Sequence, residues 1–160
     1  MTSDCLVDRL VDWWETVKER FALITPLVIT LDNGPESHSR RTQFMQRLVE
    51  FAQRFHLTIR LTYSPPYHSK YNPIERCWGI LEQHWNGALL DALDAVIQSA
   101  GTMTWKGKHP LVSLVTTVYQ TGVKLTKEAM DDLETQLQRF PLLGKWFVDI
   151  TAPLPALRDG

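Results

Sequence analysis

Residues 27–41 read LVITLDNGPESHSRR. Five apolar or β-branched residues, 27–31, run into an acid, Asp32, and the chain then breaks at once into Asn-Gly-Pro. A short apolar run closed by turn residues reads as a buried strand over residues 26–31. In α/β proteins ligands gather beyond the carboxyl ends of strands, so Asp32 stands where a catalytic carboxylate would stand. The plain alternative is an Asx-turn, in which the Asp side chain accepts a backbone N–H two residues on.

Residues 3–21 before this strand form an amphipathic helix pattern, with Leu6, Leu10, Trp13 or Trp14, Val17 and Phe21 at helical spacing and Ser3 as N-cap. Residues 39–55 repeat the pattern with Phe44, Leu48, Phe51 or Ala52, and Phe55 inward. Residues 57–62, LTIRLT, alternate as a strand. The Pro-rich loop YSPPYHSKYNP leads to a third helix from Asn72. Helix, strand, helix, strand, helix predicts an α/β fold with a parallel sheet. Beyond residue 88 the pattern predicts helices at 89–100, roughly 110–121 and 126–139, with a short strand at 146–150 and a frayed tail at 151–160.

The whole chain has 160 residues, 44% hydrophobic and 22% charged, which suits one globular core. No run approaches the ~20 apolar residues of a membrane span. The start is acidic and unlike a secretory signal. Cys5 and Cys77 form no C-x-x-C and read as reduced thiols in a cytoplasm. The five histidines show no zinc-ligand spacing. Net charge is −1, but the charge is uneven. Between His38 and Arg76 stand Arg40, Arg41, Arg47, Arg54, Arg60, Lys70 and Arg76 against Glu50 and Glu75, while residues 1–37 carry seven acids and three bases. A basic middle hints at a polyanion, and solvated helix faces are the alternative.

Glu75 lies in the first turn of the third helix. In a parallel βαβ arrangement both strands open on one side, so the loop after the second strand could carry Glu75 toward Asp32. Two carboxylates meeting there repel unless a cation lies between them, and a hard divalent ion such as Mg²⁺ takes oxygen ligands and leaves positions for phosphate oxygens. The alternative for Glu75 is a capping box, with Asn72 as N-cap and Pro73 at the first helical position.

LDNGPESHSRR followed by LTYSPPYHSKYNPIERCWGILEQHW resembles the DDE transposases, mariner-like in the wide sense. The resemblance is closest to the Rhodopirellula-type transposase DDE domain of bacterial insertion sequences and covers roughly residues 3–150, including WNG at 85–87, TMTWKGKHP and TGVKLT. It implies an RNase H-like fold, Mg²⁺ or Mn²⁺ as cofactor, transposon-end DNA as substrate, and Asp32 and Glu75 as the second and third acids of a metal-binding triad. In that fold the first acid ends a strand that precedes the first helix seen here. Asp4, Asp8 and Asp12, spaced by four, read instead as a solvated acidic stripe. The expectation is therefore an incomplete RNase H-like core at residues 1–88, lacking its first three strands, with a helical C-terminal extension at 89–150.

Such a chain is expected to be the C-terminal part of a transposase, inactive alone. Its expected partners are transposon-end DNA and an upstream transposase fragment or another copy. The other reading is a non-catalytic remnant that binds DNA or an intact transposase. A phospho-acceptor domain with Asp32 as acceptor would need an earlier strand ending in an acidic pair, which the chain lacks. Candidate DNA contacts are Arg40 and Arg41 after Asp32, His68 and Lys70 in the Pro-rich loop, and Lys106 and Lys108 beside Trp105. Trp78 and Leu81 are expected in the core with Ile74 and Trp85.

Overall fold

A computed structural model describes residues 2–32, 34–64 and 73–151. These form two compact units: residues 1–66 with 119–160, and residues 67–118.

The first unit carries helix α1 (Ser3–Val17), strand β1 (Pro26–Leu31), helix α2 (Thr42–Phe55) and strand β2 (Thr58–Tyr63), then helix α5 (Lys127–Thr135), strand β3 (Leu137–Arg139) and strand β4 (Phe147–Thr151). The second unit carries α3 (Pro73–Trp85) and α4 (Leu93–Thr102). The sheet order is β1-β2-β4-β3. As expected, β1 and β2 pair in parallel, Leu31 opposite Tyr63, so their carboxyl ends lie together. The sheet is nevertheless mixed, because β4 pairs antiparallel to both β2 and β3. This is an α/β architecture consistent with an RNase H-like fold.

The core forms between one sheet face and the helices. Ile59, Leu61, Tyr63, Val148 and Ile150 meet Phe44, Leu48, Phe51 and Ala52 of α2 and Val7 and Trp14 of α1. Of the paired tryptophans, Trp14 is buried and Trp13 turns outward. Trp14 meets Phe51 and Phe55 edge-on.

Helix α1 begins one residue earlier than its expected cap. Thr2 accepts the Cys5 N–H at 3.2 Å. Ser3 is buried instead and donates to the Glu36 carbonyl at 2.9 Å.

The acidic stripe is not free in solvent. Asp4 accepts from Gln43, Asp8 from Arg47, and Glu15 from Arg54, each across 39 positions. A constant offset means that α1 and α2 run parallel, with one edge of each zipped to the other. Asp12 alone of the three aspartates keeps to its own helix, paired with Arg9. Arg47 also reaches Glu50, and Tyr119 donates to Asp8 at 2.9 Å. The acidic start and the basic middle are thus largely each other's partners. Arg60 completes the pattern with a two-pronged bond to the buried Asp149 on β4, at 2.8 and 2.6 Å.

Four local expectations are corrected. Strand β1 is not buried on both faces: alternate residues are exposed, Val28 at 59%, because the helices cover one face of the sheet and leave the other open, and β1 is also an edge strand, paired only with β2 among the described residues. Residues 110–121 form no helix. The helix expected over 126–139 stops at Thr135, and Leu137–Arg139 turn into β3. On α3, Trp78 and Ile74 are 57% and 49% exposed, since the face packed on α4 is that of Cys77, Ile80, Leu81 and Trp85. The tail expected to fray lies, apart from Thr151 in β4, outside the described residues.

Candidate catalytic carboxylate site

Asp32 follows the last residue of β1 and its side chain is exposed. One carboxylate oxygen accepts the Gly34 N–H at 3.4 Å, the weak bond of an Asx-turn. A Cβ added at Gly34 would lie 3.2 Å from that same oxygen and 3.3 Å from Ser37 Oγ, so a glycine here leaves the carboxylate its room. Ser37 Oγ makes a long 3.5 Å contact with the Asp32 carbonyl. The loop is pinned from the sheet by Tyr63, whose hydroxyl donates to the Ser37 carbonyl at 2.9 Å. Burial pushes the Tyr63 phenol well above its usual range, against a smaller opposite influence of Arg139, so it remains a donor at all ordinary pH.

Tyr63→Phe removes that donor and leaves a buried carbonyl unpaired. It is expected to cost about 1–3 kcal/mol and to loosen the loop. Hydrogen exchange should then quicken at the Ser37 amide, which donates to the Gly34 carbonyl at 3.2 Å, while the amides of α2 stay protected. Unchanged exchange at Ser37 would contradict this role.

Asp32 also borders an open cavity of about 470 Å³ with a mainly apolar lining of Leu6, Leu10, Ile29, Leu31 and Phe44. The cavity is lined jointly by α1, the end of β1, the Asp32 loop and α2. Glu36 lies on its rim, but its carboxylate is taken by Ser3 and Arg41, at 3.2 and 3.1 Å. Asp32 therefore offers a hard oxygen donor with no cationic partner among the described residues. That suits one ligand position of a divalent ion, and no cluster of three or more ligating side chains occurs among the described residues.

Glu75 is exposed in the first turn of α3, in the second unit. Its expected capping partner Asn72, and the candidates His68 and Lys70, lie outside the described residues. Arg40 has an exposed side chain and Arg41 is bound to Glu36. Lys106 and Lys108 sit on a two-residue hairpin. Trp105 and Lys108 exchange backbone bonds at 2.8 and 3.0 Å, and Lys106 and Gly107 both take positive φ, 48° and 75°. That geometry is a type I′ turn. Lys106 Nζ lies 5.6 Å from the centroid of the half-buried Trp105 ring.

Ser37 and Tyr63 escaped the sequence reading. The only signal for Tyr63 was its place in the β2 alternation, one residue past the expected end of the strand.

The family model of the Rhodopirellula transposase DDE domain matches residues 1–152. The chain belongs to this family. The DDE assignment gives Asp32 a context that its own geometry leaves open, since the family acts on DNA and generally uses a divalent metal. No curated protein and no solved structure matches the chain. No helix among the described residues is long and apolar enough to cross a membrane.

Proposed function

We propose that this DDE chain supplies part of a phosphoryl-transfer site for transposon-end DNA in the bacterial cytoplasm, with Asp32 and Glu75 as two of its metal-binding carboxylates. The catalytic part is proposed to lie within residues 1–88. The observation that carries the reading is an exposed carboxylate at the carboxyl end of β1, with no cationic partner among the described residues, on a loop pinned by Tyr63 and beside a strand edge that no described residue pairs with. Bound Mg²⁺ or Mn²⁺ would polarise a phosphodiester and activate the attacking hydroxyl. The chain's own part is to hold carboxylate oxygens at fixed positions, to contact backbone phosphates through Arg40, Lys106, Lys108, His68 and Lys70, and to keep the DNA in register. Arg41, already neutralised by Glu36, is the weakest of the proposed contacts.

The reading includes incompleteness. The open flank of β1 and the apolar cavity beside it fit an added strand whose alternate side chains fill the cavity, and the resemblance implies a further acid on such a strand. The chain alone, incubated with Mg²⁺ or Mn²⁺ and DNA carrying the element's ends, is expected to give no strand transfer. Transfer by the chain alone that disappears in Asp32→Ala would overturn incompleteness and keep the role of Asp32. Transfer that survives Asp32→Ala would overturn the role itself.

A further inference from the structure

Beyond the contacts already proposed, a second basic feature lies in the sheet-bearing unit. An open cleft of about 590 Å³ is lined by Arg40, Arg139, Lys145, Glu134, Phe140 and Leu142, among others. Its lining comes from two separate stretches of the chain. Arg40 belongs to the loop that leads from Asp32 into α2, and Arg139 and Lys145 belong to the end of β3 and the turn before β4.

The turn is firmly built. Leu143 donates to the Phe140 carbonyl at 3.0 Å, and Trp146 to the Leu143 carbonyl at 2.7 Å. Gly144 packs so closely on β3 that an added Cβ would lie 3.0 Å from Arg139 Cβ. Arg139 is held by a two-pronged bond to Glu134, at 3.0 and 2.8 Å, which raises the guanidinium pKa and lowers that of the carboxylate. Glu134 thus cancels one charge and leaves those of Arg40 and Lys145. Among the described residues neither enters an ion pair, unlike Arg41, Arg47, Arg54 and Arg60. Lys145 Nζ rests 5.1 Å from the Trp146 ring centroid and its side chain stays exposed.

The cleft continues the Asp32 site. In the register of the sheet, Leu31, Tyr63 and the start of β4 at Phe147 gather at one end. Tyr63 links the two, bonded to Ser37 on the Asp32 loop and within electrostatic reach of Arg139 on the cleft wall.

We infer that this cleft is a backbone-phosphate site for a DNA strand running from Asp32 past Arg40 to Lys145, with Lys145 as the added contact and Arg139, held by Glu134, shaping the cleft wall. The inference rests on the DNA-acting reading of the chain and names the track that the strand takes. A phosphodiester suits it better than a protein carboxylate because an open cleft is lined by two cations from separate stretches of chain, neither in an ion pair among the described residues, as a continuous polyanion needs.

The test compares the full chain, Arg40→Gln/Lys145→Gln and a distant control, Lys124→Gln, for affinity to a short duplex of arbitrary sequence at several salt concentrations. Each lost phosphate contact removes about 0.9 from the log–log salt slope. The double variant should therefore lose about 1.8, while its melting temperature and the control's slope stay unchanged. An unchanged slope in the double variant, with the parent chain still binding, would overturn the cleft and spare the DNA reading. No binding by the parent chain would overturn both. Polyglutamate that competes with DNA charge for charge would assign the cleft to an acidic protein and overturn the inference.

Discussion

Phe51→Ala is expected to lower the stability of the sheet-bearing unit by about 3–5 kcal/mol. Its ring is fully buried on α2, 4.9 Å from the Phe55 centroid and 6.5 Å from that of Trp14, where α1, α2 and the sheet meet. Truncation removes a large apolar area and leaves a void that side chains from two helices and a sheet cannot all close. Against a typical domain stability of roughly 5–15 kcal/mol, such a loss takes much of the total. Urea unfolding followed by circular dichroism should show a lower midpoint with the same slope. A cost below about 1 kcal/mol would mean that the site collapses onto the gap, or that the α1–α2 interface holds little of the fold. Trp13→Ala, with the ring half exposed on the outer side of α1, should cost far less.

The second large effect falls on chemistry. In any assembly of this chain competent for strand transfer, Asp32→Asn is expected to slow the reaction by about a thousandfold. The change swaps one oxygen for an amide nitrogen and removes the charge, while the Oδ1 contact to Gly34 can be kept. The lost electrostatic stabilisation is several kcal/mol, and each ~1.4 kcal/mol is a factor of ten. The variant should melt as the parent does, because the carboxylate is exposed and its single bond is weak. Single-turnover strand transfer measures the effect. A change smaller than about fivefold, ~1 kcal/mol at the barrier, would remove Asp32 from the reacting centre.

Much of the sheet-bearing unit was legible because its signals are local. The alternation of residues 57–62, the apolar face of α2 and the turn after Asp32 each lie within one element, and the structure follows them, with the strand shifted by one residue. What was missed depends on partners distant in sequence. The aspartates of α1 looked solvated because Arg47 and Gln43, which bind them, are 39 positions away. β1 read as buried because apolar composition alone does not tell whether one face of the sheet is covered or both. Leu137–Arg139 continued a helical pattern, and only pairing with β4 makes them a strand. Residues 110–121 had helix-like apolar spacing, but their Val and Thr content lowers helix propensity and no capping residue starts them. Trp78 was misassigned because α3 has apolar residues on two faces and α4 covers one. At the candidate site, Asp32 was legible from its place at a strand end. The Tyr63–Ser37 bond and the Arg139–Lys145 wall were not, since both arise where the chain returns to the sheet.

That return has a consequence for the order of events in folding. The sequence from α1 to β2 is made of near neighbours, whereas the Arg60–Asp149 pair joins β2 to β4 across 89 positions, with the second compact unit lying within the interval. Closing so long a loop costs little more at equilibrium than closing a shorter one, about 0.6 kcal/mol per doubling of length, but non-local pairings slow the search. The helix pair and the parallel strands can gather first, with the Asp32 loop already leaving their end. β3 and β4 dock afterwards, bringing the turn that carries Lys145. On this route the Asp32 loop is kinetically early and the turn of Arg139 and Lys145 late, so newly made chains would pass through a state that presents the carboxylate without that basic turn.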